Sequence, residues 1–277
     1  MPAGSASADL PDGADAVLAP LVADPSRTAV LCDFDGTLAP IVLDPADARP
    51  LEPVPVLLRS LARRFAVVAI VSGRPAAFLA DHLGPPAGAA ATVGLHGIYG
   101  MESVDAGGAV RPDARVAPWL PVAEEVAARL RHGLPEEVMV ELKGPAVTVH
   151  WRRAPDEGAR AAALVAEETA RTGLEAHPGR MSCELRPPLA IDKGTVVEEL
   201  SAGCTAACFL GDDVGDLPAF AALGRLATGG TATVGIAVRD AETAPEVAAA
   251  ADLVVEGPEG AVAVLAWLDR AAGDGPA

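Results

Sequence analysis

The chain has 277 residues, of which 51% are hydrophobic and 3% aromatic, and its formal net charge is −17 at pH 7. This length allows one large domain or two moderate ones with a sizeable core, in which Ala, Val and Leu must provide most of the packing. The negative charge disfavours nucleic acids and anionic membranes as partners, and no apolar run approaches the length of a membrane span.

The N-terminal segment and the cysteines bear on the cellular compartment. Residues 1–15 are small, polar and acidic, with no basic segment before an apolar one, which argues against a secretory signal. We expect residues 1–24 to be disordered. The cysteines lack the close spacing of a metal site and suit free thiols in a reducing, cytoplasmic environment. They are Cys32, Cys183, Cys204 and Cys208.

The first part of the chain alternates apolar runs with amphipathic segments, which is typical of a parallel sheet covered on both faces. The predicted strands are 29–33, 66–71 and 91–95. The predicted helices are 54–64 and 75–83, and a turn is expected at 84–88.

The middle of the chain has a different order of predicted elements. A hairpin is predicted around 105–108, followed by an α-β-β-α-β-β order that indicates a separate small α/β unit. Its predicted elements are a helix at 118–132, strands at 138–142 and 147–152, a helix at 155–172, and strands at 174–177 and 182–186. Parallel strands return at 206–210, 233–238 and 253–255, before a helix at 260–271.

The predicted fold class is therefore α/β, with a Rossmann-like parallel-sheet core and an inserted smaller α/β cap domain. The core is expected to comprise residues 25–101 and 189–277, and the cap residues 102–188.

The sequence DFDGTL at 33–38 follows an apolar strand and places Asp33 and Asp35 two residues apart. Two such carboxylates repel each other and are costly to desolvate unless a cation or a shared proton compensates. A solvated Asp-Gly turn is the alternative. Three segments further along the chain bear on which of these two interpretations holds.

Each of these three segments lies at the end of a predicted strand or at the start of a predicted amphipathic segment. Ser72 follows the second strand, Lys193 begins an amphipathic segment, and Asp212 follows a later strand. Ligands gather at the carboxyl ends of strands in open α/β sheets, so these residues can converge. The sequence has two lysines, Lys143 and Lys193. A lysine at a helix start opposes the helix dipole, which favours a functional role for Lys193.

Together these segments resemble those of the haloacid dehalogenase-type phosphatases. The resemblance implies that Asp33 is the nucleophile, forming an aspartyl phosphate, and that Asp35 is the general acid and base. It implies a Mg²⁺ ion held by Asp33, by the backbone carbonyl of Asp35 and by Asp212. Such a cation would also reverse the field that an acidic protein presents to a phosphate ester.

The same resemblance assigns supporting roles to other residues. Thr37, Ser72 and Lys193 would bind the phosphoryl group. Asp213 and Asp216 would orient metal-bound waters or Lys193, although either could instead cap a helix.

Several segments resemble those of the trehalose-6-phosphate phosphatases. They are GLHG at 94–97, the Pro-Ile pair after the first motif, and three segments of the predicted cap. The cap segments are ELK at 141–143, HWR at 150–152 and CELRP at 183–187. Gly215 and Leu217 depart from this family, which more often has Thr and Glu there. The implied substrate-binding residues are His96, Gly97, Glu141, Lys143, His150, Glu184 and Arg186.

Plain structural roles remain possible for these residues. Any one of the cap charges could be ordinary exposed strand charge. His150 could equally be a packed histidine, and His96 could support its loop rather than contact the ligand.

The resemblance implies a Mg²⁺-dependent phosphatase that acts on a small sugar phosphate, trehalose 6-phosphate. The alternatives are a phosphatase for sucrose 6-phosphate or mannosyl-3-phosphoglycerate, or a catalytically silent regulator that binds a sugar phosphate. A silent regulator would be expected to lack Asp33 or Asp35, and both are present. The oligomeric state does not follow from the sequence.

Overall fold

The computed structural model describes residues 10–84, 92–179, 181–241 and 243–273. The predicted turn at 84–88 lies almost wholly outside these residues. The chain divides into two compact units, which we call the core unit and the small unit. The core unit runs up to Arg111 and resumes at Ile191, and the small unit is Pro112–Ala190.

The strands, in chain order, are β1 (Thr28–Cys32), β2 (Val67–Val71), β3 (Val93–Gly97), β4 (Glu102–Val104), β5 (Val110–Pro112), β6 (Met139–Lys143), β7 (Ala146–His150), β8 (Glu175–Gly179), β9 (Ser182–Arg186), β10 (Ala206–Gly211), β11 (Ala232–Arg239) and β12 (Leu253–Glu256).

The helices are α1 (Ala14–Val22), α2 (Val54–Leu61), α3 (Ala76–Leu83), α4 (Leu120–Gly133), α5 (Gly158–Thr172), α6 (Lys193–Leu200), α7 (Leu217–Thr228), α8 (Pro245–Ala249) and α9 (Gly257–Gly273).

The core unit is built on one sheet with the spatial order β12-β11-β10-β1-β2-β3-β4-β5. The strands from β12 to β3 pair in parallel, and β4 pairs antiparallel with β3. The central strand β1 is buried along its whole length between β10 and β2. This arrangement explains the near-continuous apolar runs of the central strands, since both faces of the sheet are covered. The predicted α/β class is confirmed.

Helices cover both faces of this sheet. Val30 and Cys32 of β1 lie in one apolar cluster with residues of α1, α2, α3 and α9. Ala29 and Leu31, which point to the opposite face, pack with residues of α6, α7 and α8. The carboxyl ends of β1, β2 and β10 therefore emerge between two helical layers.

The N-terminal region differs from the expected disorder of residues 1–24. Within the described residues, Ala14–Val22 form α1, and Leu18 and Leu21 are fully buried against the sheet cluster. The helix is short and contains Pro20, so its sequence has weak helical periodicity and tertiary packing determines its conformation.

The small unit has an antiparallel sheet in the order β6-β7-β9-β8. Val140, Val147 and Leu185 pack with α4 and α5 in a separate apolar cluster. The division falls at Pro112 rather than at 102, because β4 and β5 extend the larger sheet. Among the described residues, no helix is long and apolar enough to cross a membrane.

Candidate active site

Two carboxylates lie at the ends of adjacent parallel strands. Asp33 follows β1 and Asp212 follows β10, and the register pairs Cys32 with Leu210. The backbone N–H of Asp33 donates to the carbonyl of Leu210 over 2.8 Å, which holds the two strand ends together. One carboxylate oxygen from each of Asp33, Asp212 and Asp216 lies within 4.8 Å of the others. These three residues are the acidic triad.

Lys193 is buried within this triad. Its Nζ lies 2.8 Å from Asp33 Oδ2 and 2.6 Å from Asp216 Oδ1, and its side chain is 3% exposed. Asp192 caps α6 through a reciprocal pair of bonds with Thr195. The cap fixes the first turn of α6 and so determines where Lys193 enters the site.

Asp216 organises the loop after β10. Its Oδ1 accepts from Lys193, while its Oδ2 accepts the backbone N–H groups of Asp212 (2.9 Å) and Asp213 (3.2 Å). Asp213 itself is exposed, and its Oδ1 accepts the N–H of Gly215 over 2.8 Å. Asp216 therefore contacts Lys193 as the resemblance implied, whereas Asp213 takes the helix-capping role that was its alternative.

The turn after Asp33 closes tightly on Asp212. Thr37 Oγ1 donates to Asp212 Oδ1 over 3.0 Å, so its hydroxyl serves a carboxylate in this structure. Gly36 has a φ of +70°, and a Cβ atom there would lie 2.0 Å from Asp212 Oδ2. Glycine is needed at position 36 both for the left-handed backbone and for the space that the carboxylate fills.

The carboxylate of Asp35 is turned toward a residue that the sequence analysis gave no role. Arg74 donates from Nε to Asp35 Oδ2 (2.6 Å) and from Nη2 to Oδ1 (2.7 Å). Ser72, two residues before Arg74, is buried, and its Oγ accepts the backbone N–H of Arg74 over 3.3 Å. The SGR segment thus brings a hydroxyl and a guanidinium to the same strand end.

The segment after β3 supports this loop. The carbonyl of His96 accepts the N–H of Ser72, and the N–H groups of Ile98 and Tyr99 donate to the carbonyls of Arg74 and Ser72. A Cβ atom on Gly97 would lie 2.3 Å from the backbone nitrogen of Ala76. The contacts of His96 and Gly97 are therefore those of residues that support the Ser72 loop, and burial lowers the pKa of His96.

The electrostatics of the triad are those of crowded buried anions. Burial, only partly offset by Lys193, raises the pKa of Asp33 to about 8. Burial and repulsion from Asp33 raise that of Asp212 to about 9. Burial alone would lower the pKa of Lys193, but Asp216 and Asp33 outweigh it and raise that pKa well above its usual value. One lysine cannot balance three carboxylates, so the site favours a further cation.

Three observations fit a divalent metal ion in this position. Asp33 Oδ1 is buried and has no hydrogen-bond partner among the described residues. The missing Cβ of Gly36 leaves room for the Asp212 carboxylate beside it. The triad offers only oxygen ligands, as hard cations prefer. Asp33 and Asp212 belong to the predicted ligand set and Asp216 adds a third carboxylate, while the role of the Asp35 carbonyl stays a prediction.

The predicted substrate residues of the small unit lie together on one face of its sheet, opposite the apolar face. Glu184 Oε1 accepts from Thr148 Oγ1 (3.1 Å) and lies 3.9 Å from Lys143 Nζ. Its Oε2 accepts from Arg186 Nε over 2.6 Å. Strand alternation and register produce this polar face, since Thr148 pairs with both Glu141 and Glu184.

A second group of contacts extends the polar face toward β6. Glu141 Oε2 lies 3.2 Å from His150 Nε2 and 3.4 Å from Lys143 Nζ. Burial would raise the pKa of Glu141, but the hydrogen bond with His150 and the charge of Lys143 outweigh it and lower that pKa. His150 is thus part of the polar face rather than of the apolar core. The polar face is defined by Glu141, Lys143, Thr148, His150, Glu184 and Arg186.

Sequence reasoning missed Thr148 and Arg74. Thr148 precedes His150 by two residues, so strand alternation alone could have placed it on the polar face. Arg74 stands in the SGR segment that was singled out for its serine.

A mostly parallel sheet whose central strands end in buried carboxylates, with a separate antiparallel unit inserted in the chain, is the fold of solved haloacid dehalogenase-like hydrolases. A solved haloacid dehalogenase-like hydrolase from Bacteroides thetaiotaomicron has a TM-score of 0.58 at 16% identity, covering 88% of this chain and 99% of that one. The C-terminal domain of the C. albicans trehalose-6-phosphate phosphatase has a TM-score of 0.71 at 24% identity, covering 93% and 97%. At these identities the likeness shows the fold alone.

The sequence comparisons are more specific. The trehalose-phosphatase family model matches residues 31–259. The trehalose-phosphate phosphatase of Mycobacterium marinum is 35% identical over 226 residues, which cover 78% of this chain and 56% of that protein. The chain therefore belongs to the trehalose-phosphatase family, and the predicted resemblance is confirmed. It spans about half the length of the curated relatives it matches, including 51% for Mycobacterium avium.

Proposed function

We propose that this chain is a Mg²⁺-dependent phosphatase that hydrolyses trehalose 6-phosphate to trehalose and phosphate through an aspartyl phosphate on Asp33. The observation that carries the proposal is the state of the Asp33 carboxylate. One oxygen is paired with Lys193 at 2.8 Å, and the other is buried without a hydrogen-bond partner among the described residues. Family membership and the names of the curated relatives support the substrate.

The first half of the reaction uses Asp33 as nucleophile. A carboxylate oxygen of Asp33 attacks phosphorus as the bond from phosphorus to the sugar oxygen breaks, and the leaving oxygen takes a proton from the Asp35 carboxyl group. Lys193 and the buried hydroxyl of Ser72 bind the phosphoryl oxygens and stabilise their charge. Trehalose leaves, and the phosphoryl group stays on Asp33.

The second half regenerates the enzyme. Water attacks the phosphorus of the aspartyl phosphate, its proton passes to the Asp35 carboxylate, and the bond from phosphorus to Asp33 breaks. Phosphate is released, Asp33 is again a carboxylate, and Asp35 again carries the proton that the next cycle needs. A Mg²⁺ ion bound by the acidic triad would supply positive charge for the anionic ester and polarise the phosphoryl group.

The sugar is bound, in this proposal, by the polar face of the small unit. Carboxylates accept from hydroxyls and cations donate to them, so a face with both kinds of group suits a disaccharide. Glu184 is the central residue, because its two oxygens contact Thr148 and Arg186 and lie near Lys143. His96 and Gly97 act through the Ser72 loop.

We further propose a cytoplasmic location, and a small sugar phosphate rather than a nucleic acid or a membrane as the partner. The four cysteines are free, and Cys32, Cys183 and Cys208 are buried, which suits a reducing compartment. The net charge of −17 opposes nucleic acids and anionic membranes.

Phosphate release from a substrate panel tests the proposal. The panel comprises trehalose 6-phosphate, sucrose 6-phosphate, mannosyl-3-phosphoglycerate, glucose 6-phosphate and an aryl phosphate, each with Mg²⁺ and with EDTA. We expect metal-dependent release with the highest kcat/KM for trehalose 6-phosphate. A higher kcat/KM for another sugar phosphate would contradict the substrate assignment. Binding of trehalose 6-phosphate without release would favour the silent regulator.

A further inference from the structure

The general acid and base of the proposed reaction is held by an arginine. Both oxygens of Asp35 accept hydrogen bonds from one guanidinium, at 2.6 Å from Arg74 Nε and 2.7 Å from Nη2. Two parallel bonds of this kind fix the plane of the carboxylate as well as its position. The Asp35 side chain is 30% exposed, so without such a partner it would sample several rotamers.

The guanidinium of Arg74 is itself fixed by further contacts. Its Nη1 donates to the carbonyl of Pro45 over 2.7 Å, and its central carbon lies 4.5 Å from the ring centroid of Phe78. The Phe78 ring in turn meets the edge of Phe34 at 5.8 Å, and Phe34 stands between Asp33 and Asp35 in the chain. The arginine is therefore anchored to the same structure that carries both catalytic carboxylates.

We propose that Arg74 is the positioning residue for Asp35. It holds the Asp35 carboxylate in one orientation, and it releases one oxygen of Asp35 each time that oxygen exchanges a proton with the leaving group or with water. The inference rests on the proposed phosphatase chemistry, but it does not depend on which ester is the natural substrate.

The reaction itself explains why two bonds are useful. After Asp35 has given its proton to the leaving oxygen, it is a carboxylate, and Arg74 can bind both of its oxygens. When water then gives a proton to Asp35, one oxygen becomes a hydroxyl and releases one N–H of Arg74, while the other bond keeps the side chain in place. The orientation of Asp35 is preserved in both protonation states.

Arg49 provides a matched control for a purely structural role. It donates from Nη1 to the carbonyls of Ala46 and Ala48, both at 2.8 Å. Arg49 thus braces the loop that Arg74 reaches through Pro45, but through backbone carbonyls rather than through Asp35. If Arg74 only stabilised this loop, replacing either arginine should affect all esters alike.

The test is a series of aryl phosphates with leaving groups from dinitrophenol to phenol, measured as the first-turnover burst in the presence of Mg²⁺. The variants are Arg74→Gln, Arg74→Lys, Asp35→Asn, the double variant Asp35→Asn/Arg74→Gln, and Arg49→Gln. Dinitrophenol leaves without a proton, whereas phenol needs one, so loss of a well-placed acid affects the phenyl ester selectively. General acid catalysis contributes about 10²–10⁴-fold.

We expect Arg74→Gln to lower the burst rate about ten- to a hundredfold for phenyl phosphate and less than about threefold for the dinitrophenyl ester, since only part of the general-acid contribution is lost. For phenyl phosphate, Arg74→Lys should lower the burst rate less than Arg74→Gln does, because an ammonium keeps the positive charge but cannot make two parallel hydrogen bonds to the carboxylate. In the Asp35→Asn background, Arg74→Gln should lower the burst rate by less than about a further twofold, since the effects of two residues that act through one another are not additive. Arg49→Gln should leave the slope of the series unchanged.

Equal losses across the series, or full additivity with Asp35→Asn, would overturn the positioning role. If Arg74→Gln does not fold, as judged by circular dichroism, Arg74→Lys carries the same comparison. Hydrolysis of aryl esters without phosphate release from trehalose 6-phosphate would contradict the proposed substrate. The aryl phosphate series would still test the positioning role of Arg74. Absence of all metal-dependent ester hydrolysis would overturn both proposals.

Discussion

Lys193 Nζ lies 2.8 Å from Asp33 Oδ2, and both side chains are buried at the meeting point of β1, β10 and α6. The lysine restrains one oxygen of the carboxylate and leaves the other, Oδ1, without a partner among the described residues. In the proposed reaction, Lys193 fixes the orientation of the Asp33 carboxylate, while Oδ1 is the oxygen open to a Mg²⁺ ion.

The first prediction concerns the two aspartates of the DFDGTL motif. Asp33→Asn should abolish turnover, because an amide cannot attack phosphorus. At pH 9 in EDTA, where the Asp33 carboxyl group with its pKa of about 8 is ionised, the substitution should raise the melting temperature by removing one anion from the triad. Asp35→Asn should lower the melting temperature, since it weakens the bidentate contact with Arg74, at a cost of about 1–3 kcal/mol. Phosphate release and thermal unfolding measure the two effects. A lower melting temperature for Asp33→Asn than for the unaltered protein would contradict the assigned repulsion.

The second prediction concerns pH and metal. The pKa of Asp33 is raised to about 8 and that of Asp212 to about 9, whereas an unfolded aspartate titrates near about 3.9. Between these values the folded metal-free protein binds more protons than the unfolded chain, so its free energy of unfolding should fall as pH rises from about 4 to 8.

Metal binding should oppose this trend. Mg²⁺ requires deprotonated carboxylates, so its stabilising effect should increase with pH. Thermal unfolding at pH 6, 7 and 8, with EDTA or with Mg²⁺, measures both effects, and Asp212→Asn is the control that should lose most of the metal response. An Mg²⁺-induced shift in melting temperature that is the same at all three pH values would contradict the prediction.

The third prediction separates the two lysines. Lys143→Arg should reduce kcat/KM for trehalose 6-phosphate about ten- to a hundredfold, equivalent to one lost charge-assisted hydrogen bond of about 1.5–3 kcal/mol. It should leave a small aryl phosphate nearly unaffected, because that ester has no sugar. Lys193→Arg should impair both esters, because Lys193 is proposed to bind the phosphoryl group and its buried position between Asp33 and Asp216 must accommodate the larger guanidinium. Equal effects of Lys143→Arg on the two esters would argue against a sugar contact.

The fourth prediction compares two glycines with similar backbones. Gly36 and Gly203 have φ values of +70° and +83°, but a Cβ atom would strike the Asp212 carboxylate at position 36 and meet nothing within 4 Å at position 203. Gly203→Ala should therefore cost only the strain of the left-handed backbone, about 1–2 kcal/mol. Gly36→Ala should cost more and should also abolish the Mg²⁺ shift in melting temperature and the turnover. Normal activity of Gly36→Ala would show that Asp212 can move without consequence.

Much of the core could be predicted from its sequence because parallel strands are read directly from apolar runs. The run at 206–210 and the apolar residues before Asp33 became neighbouring strands, and the rule that ligands gather at strand ends brought Asp33 and Asp212 together. The confirmed family resemblance rests on the same motifs.

Other features depend on tertiary contacts that leave little trace in the sequence. Helix α1 is short and contains Pro20, so packing against the sheet is what stabilises it. The bond between Arg74 and Asp35 joins residues 39 positions apart, and nothing in either segment specifies the partner. The contact of Asp216 with the amides of Asp212 and Asp213 depends on the exact turn after β10, which a pattern of carboxylates does not reveal.

The two lysines differ in accessibility, and this difference offers a route for chemical labelling. Lys193 is enclosed by two carboxylates and its pKa is raised, so its amine is both shielded from reagents and protonated. Lys143 lies partly exposed on the polar face of the small unit. An amine-reactive fluorophore should therefore modify one lysine side chain of the folded protein, and protection of that side chain by a sugar phosphate would report occupancy of the polar face without any turnover.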